Sequence, residues 1–163
     1  RLMTSLQKQN SIISLIAKLL GVNPFQSLHE YEEFVYTLQI KSVYIYSVFE
    51  LVVARRGAKV ADLEGELMFN RGIRLVIHEH FTFYGGTITL RRYSYSIWRG
   101  EERLYWYDPQ PHPDNPTLAA THPHHKHVPP DIKHNRIPAP GLSFTQPNLP
   151  FLLQEIEQTF FLD

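Results

Sequence analysis

Residues Thr121-His122-Pro123-His124-His125-Lys126-His127 crowd four imidazoles and one ammonium into seven positions, in a chain with nine histidines among 163 residues. Neutral imidazole binds divalent metals, and its ordinary pKa lets it give and take protons near neutrality. His112 and His134 flank the run. Upstream, Leu104-Tyr105-Trp106-Tyr107-Asp108-Pro109 carries a strand-like pattern into it, so Asp108 and His112 leave a rigid edge close together. Asp108 can orient an imidazole, ligate a metal, or simply shape the Asp-Pro turn. Three readings of the run are open. It is a solvated, proline-stiffened loop whose histidines pack on tyrosines; a metal site; or a metal-free centre where His124, His125 or His127 moves protons and Lys126 stabilises developing charge. No spaced zinc signature such as His-Glu-x-x-His is present.

Glu79 is the second unusual group. Alternation along residues 73–83 puts it on one face with Leu75, Ile77, Phe81 and Phe83, while His78 and His80 point the other way. A carboxylate on an apolar face needs an arginine partner, a cleft in which it acts as base or ligand, or a bulge that turns it to water. In the next run Arg91, Tyr93, Tyr95 and Arg99 share a face, which Arg103, Tyr105 and Tyr107 extend. Arginine binds phosphate and aromatic rings stack on bases, so this set is a candidate surface for single-stranded nucleic acid. Ordinary cross-strand pairing is the other reading.

An α+β scaffold must hold these groups. Over residues 5–20, Leu6, Ile12, Ile13, Leu15, Ile16, Leu19 and Leu20 recur at helical steps, and Gly21 and Asn23-Pro24 end the pattern. Ser27 and Glu30 make a capping box that opens a second helix over residues 28–39, with Leu28, Tyr31, Val35 and Leu38 facing inward. Branched and aromatic residues then dominate, giving strands over residues 42–55, 59–69, 73–83, 87–98 and 103–107. Their links of two to four residues join only antiparallel neighbours. The expectation is a mainly antiparallel meander of four to five strands across residues 42–107. Prolines make residues 108–147 a long irregular loop, and Asn148 and Pro150 open a C-terminal helix over residues 149–161. A single domain over residues 1–163 is the expected organisation.

Composition narrows the classes. The absence of cysteine rules out disulfides, thiolate zinc sites and cysteine nucleophiles, and leaves His and carboxylates as the only metal ligands to consider. Sixteen basic residues balance sixteen acidic ones, so overall charge gives no reason to expect nucleic acid. The longest apolar stretch, residues 12–20, is interrupted by Ser14 and Lys18 and is too short for a bilayer span. The first residues lack the charged start, apolar middle and small-residue site of a secretory signal, and a cytoplasmic location is expected.

Glu79, Arg92-Tyr93-Ser94-Tyr95, Tyr107-Asp108, His112-Pro113, Pro116-Thr117 and Pro123-His124-His125-Lys126-His127 occur in an order that resembles the TumE family of toxins. The likeness runs from about Glu64 to His127 and resumes in the terminal helix; Pro113 stands where the family pattern has a second histidine. It implies a toxin of a prokaryotic toxin–antitoxin module with a cognate antitoxin as partner, and brings no mechanism with it. From the residues, the leading expectation is a metal-independent ribonuclease without cofactor. Its catalytic candidates are His124, His125, Lys126, His127, His112, Asp108 and Glu79, and its RNA contacts are Arg91, Tyr93, Tyr95, Arg99 and Arg103. The alternatives are a non-catalytic binding module for protein or nucleic acid, and a metal-dependent hydrolase with Glu79, Asp108, His112 and loop histidines as ligands. A homodimer is left open.

Overall fold

The computed structural model describes residues 25–85 and 87–162, and the helix expected over residues 5–20 lies outside them. Helix α1 (Leu28–Tyr36) opens as the sequence indicates: Ser27 Oγ accepts the Glu30 N–H at 3.1 Å, and the Glu30 carboxylate reaches back to the Gln26 N–H at 2.7 Å. The expected single helix to residue 39 is split. At Thr37 the backbone N–H is shared between the Glu33 and Phe34 carbonyls, and the hydroxyl donates to Phe34, which tightens the last turn. A separate turn, α2 (Leu38–Lys41), follows. Tyr31, Val35 and Leu38 are buried as expected.

Seven strands then form one sheet in chain order, every neighbouring pair antiparallel: β1 (Ile45–Arg55), β2 (Val60–Phe69), β3 (Ile73–Tyr84), β4 (Thr87–Arg99), β5 (Glu102–Asp108), β6 (His125–His127) and β7 (Arg136–Pro138). The meander is the expected one, but the count of four to five strands is too low. β6 and β7 lie in the stretch expected to be irregular throughout. Its prolines flank β6 without entering it, and Pro138 sits at the end of an edge strand, where a missing N–H is tolerated. Between β5 and β6 the chain makes a short 3-10 turn (Pro116–Thr121), capped by Asn115 Oδ1 on the Thr117 N–H. The C-terminal helix α3 (Leu149–Phe160) forms where the sequence places it.

Alternation gives the sheet two unlike faces. Leu63, Leu67, Leu75, Ile77, Phe81 and Ile97 bury one face under Tyr31 and Val35 of α1 and Leu149, Leu152 and Ile156 of α3. The opposite face carries Asp62, Glu64, His78, His80, Arg92 and Ser94, which line an open depression of about 330 Å³. No helix among the described residues is long and apolar enough to cross a membrane.

Candidate functional site

Where the open face continues onto β5 and β6, the ladder sets Trp106 opposite His127 and Asp108 opposite His125. Two imidazoles and a carboxylate meet there. His125 Nε2 lies 3.2 Å from Asp108 Oδ1, His127 Nε2 lies 3.1 Å from Asp108 Oδ2, and the two Nε2 atoms are 3.0 Å apart. The orientation of each ring is fixed from behind. His125 Nδ1 donates to the Pro123 carbonyl and His127 Nδ1 to the Ile132 carbonyl, each at 3.1 Å. Because a carbonyl only accepts, both Nδ1 atoms carry the proton, and in the neutral rings both Nε2 atoms present lone pairs.

The carboxylate is held as firmly. Trp106 Nε1 donates to Asp108 Oδ2 at 3.1 Å and the Gln110 N–H to Oδ1 at 2.9 Å. Burial alone would raise this carboxyl's pKa, but the Gln110 N–H, the adjacent His125, the Trp106 N–H and His127 outweigh it and hold the group below the usual range. His127 is pushed below its ordinary value chiefly by burial, against the pull of Asp108. Its ring stacks on Trp106 at 3.8 Å between centroids, and the Arg103 guanidinium covers Trp106 at 3.9 Å. His112 stands edge-on to His125 at 4.9 Å, and its Nε2 is shut from solvent without a hydrogen-bond partner.

The remaining expected site residues are not part of this centre. Lys126 alternates to the opposite face, where it pairs with Glu155 of α3 at 3.2 Å and lies over the Tyr105 ring. His124 is on that side too, with Nδ1 2.6 Å from the Tyr93 hydroxyl and its ring against Phe144. Glu79 is buried on the core face as alternation requires, but its partners are tyrosines and not an arginine. Tyr95 donates to it at 2.6 Å, and Tyr31 donates a short hydrogen bond from α1. Burial raises the Glu79 carboxyl above its ordinary value, partly offset by the two phenols.

The expected arginine–tyrosine surface does not form. Tyr93, Tyr95, Tyr105 and Tyr107 are buried, so their rings are not offered for stacking, and the three arginines are dispersed. Arg91 sits at the β3–β4 register shift and donates to Thr82, Arg99 lies over Phe160, and Arg103 lies over Trp106. Sequence reasoning missed the polar row on the open face. His80 Nδ1 contacts Asp62 at 2.5 Å, Asp62 also receives Arg56 Nε at 3.0 Å, and Arg92 is exposed beside them. The row's signal in the sequence is the polar half of the alternation in β2, β3 and β4.

The family model described as Toxin TumE matches residues 36–160, a span that includes the whole sheet and the Asp108–His125–His127 cluster. No curated protein and no solved structure matches the chain.

Proposed function

The chain belongs to the TumE family of toxins, and from that premise we propose that it arrests growth by cleaving RNA at a centre built from Asp108, His125 and His127 on the open face of the sheet. Membership makes the protein a toxin of a toxin–antitoxin module, with an antitoxin as its partner. The observation that carries the finer reading is the convergence of two oriented Nε2 atoms on one carboxylate within 3.2 Å. Groups so oriented, and not merely near one another in sequence, are what phosphodiester cleavage needs. The depression with Arg92 lies on the same face, giving the phosphate backbone a groove and a cation.

The scheme read from sequence, with three histidines and Lys126 in one loop, divides between two faces. His125 and His127 stay in the centre, while His124 and Lys126 support the core side. The informative variant is therefore the His125→Ala, His127→Ala pair. Induced at equal soluble levels, the intact chain should arrest bacterial growth and, when purified, shorten a single-stranded RNA. The double variant should do neither. Growth arrest of equal strength by the double variant, or intact RNA after incubation with a folded, toxic wild-type chain, would remove this reading.

A further inference from the structure

Three acceptors face one another at the end of β5 and β6, and that arrangement is incomplete as it stands. Both imidazoles donate from Nδ1 to the Pro123 and Ile132 carbonyls, so in the neutral rings the Nε2 lone pairs point at each other and at an acceptor-only carboxylate. Buried polar atoms normally find complementary partners. A single proton can bridge one pair of these atoms, whereas a cation between them satisfies all three.

The separations have the right size. Bonds of about 2.1 Å from metal to nitrogen or oxygen put neighbouring ligands about 3.0–3.4 Å apart, depending on coordination number. The two Nε2 atoms are 3.0 Å apart, and each lies 3.1 or 3.2 Å from its own oxygen of the Asp108 carboxylate, so either oxygen, or both, can complete the set. Among the described residues these three are the group whose donor atoms come together in this way, all within 4.8 Å of one another. The surroundings also fit. Each ligating imidazole has its other nitrogen on a backbone carbonyl, and the carboxylate is steadied by Trp106 and Gln110, the outer contacts that fix metal ligands in place. The Nε2 of His112, buried and without a partner beside His125, is a second unfilled group at the same spot.

We infer that Asp108, His125 and His127 form a binding site for one divalent transition-metal ion, with open coordination positions towards the open sheet face. Two imidazoles and one carboxylate suit zinc, manganese, iron, cobalt or nickel better than magnesium or calcium, which favour all-oxygen sites. The side chain of Asp108 is 23% exposed and those of His125 and His127 are 1% and 5% exposed, so the ion is reached from the carboxylate side. This inference rests on the proposed catalytic centre and deepens it. A bound ion supplies a Lewis acid for phosphoryl oxygen and an activated water, roles that Lys126, turned to the other face, does not fill.

Cobalt(II) is the probe, because its visible absorption reports both occupancy and coordination number. Full-length protein without a polyhistidine tag should take up one equivalent of cobalt(II), and zinc(II) should displace it. His127→Ala and the near-isosteric Asp108→Asn, each checked for native circular dichroism, should bind at least about 100-fold more weakly, given that even supporting contacts change metal affinity by about 10–100-fold. His134→Ala, which alters an exposed His134–Asp131 pair, should bind as the wild type does. Failure of the folded wild type to bind cobalt(II) or zinc(II), or equal binding by the folded variants, overturns the metal site. RNA cleavage that then persists in EDTA leaves the catalytic centre standing as a proton-transfer pair, so the two claims fail separately.

Discussion

Two carboxylates on opposite faces of the sheet receive opposite treatment. Glu79, on the core face, is met by donors: the phenols of Tyr31 and Tyr95 point at its oxygens, and Asn148 supports Tyr95 at 3.2 Å. Asp108, on the open face, receives two N–H groups from behind but faces imidazole lone pairs in front. The first network is closed and ties α1 and the start of α3 to β3 and β4. The second is pre-oriented and unfinished. A buried charge surrounded by its own donors is a structural device, while oriented acceptors that await a cation or proton mark a place for chemistry.

Removing each carboxylate should break the comparison most sharply. Glu79→Ala leaves two buried phenols without an acceptor and should lower unfolding free energy by about 2–4 kcal/mol in urea denaturation, the range for unsatisfied buried partners of a charged group. Asp108→Ala should cost less, about 1–2 kcal/mol, because the Trp106 and Gln110 N–H groups that lose their acceptor lie nearer water than the two phenols, yet it should abolish growth arrest. Comparable stability losses in the two variants would show that both clusters are structural.

The pH dependence sharpens the contrast next. Because the Glu79 carboxyl is raised in the folded state, first by burial, folding favours its protonated form. That contribution is fully present below the unfolded carboxylate pKa and is lost as pH rises through the raised folded value. Melting temperatures of wild type relative to Glu79→Gln should therefore fall as pH rises from about 4 towards neutrality. A flat difference would mean that the phenols have offset burial completely.

The smallest effect belongs to Lys126. It lies between His125 and His127 in sequence but on the core face in space, where it pairs with the Glu155 carboxylate that also accepts the Tyr107 hydroxyl at 2.5 Å. Lys126→Met should cost no more than about 1 kcal/mol, since both partners retain some exposure. It should leave growth arrest unchanged. Loss of arrest by a stable Lys126→Met protein would return the lysine to the centre.

Much of the scaffold was legible. The first five strands begin and end within three residues of their expected bounds, because branched and aromatic composition, glycine-bearing links and period-two burial all agree there. The cap on α1 was legible for the same local reason. Less could be seen of the histidine run. A three-residue strand such as β6 has no stability of its own and exists through its ladders with β5, whose partners are 17–21 positions away, and with β7, whose partners are 9–13 away. The tyrosines were misread because Tyr and Arg on one strand look the same whether the face is wet or covered by helices.

By itself, the sequence determined the ingredients: a histidine run after an Asp-ended strand, a carboxylate on an apolar face, no thiols, and strand periodicity strong enough to define a meander. Tertiary structure alone decided which of those groups meet. The β5–β6 register selects His125 and His127 over His124 and Lys126, and the carbonyls of Pro123 and Ile132 turn the chosen rings inward. Side-chain type is a local property, but the direction of a lone pair depends on contacts between distant segments.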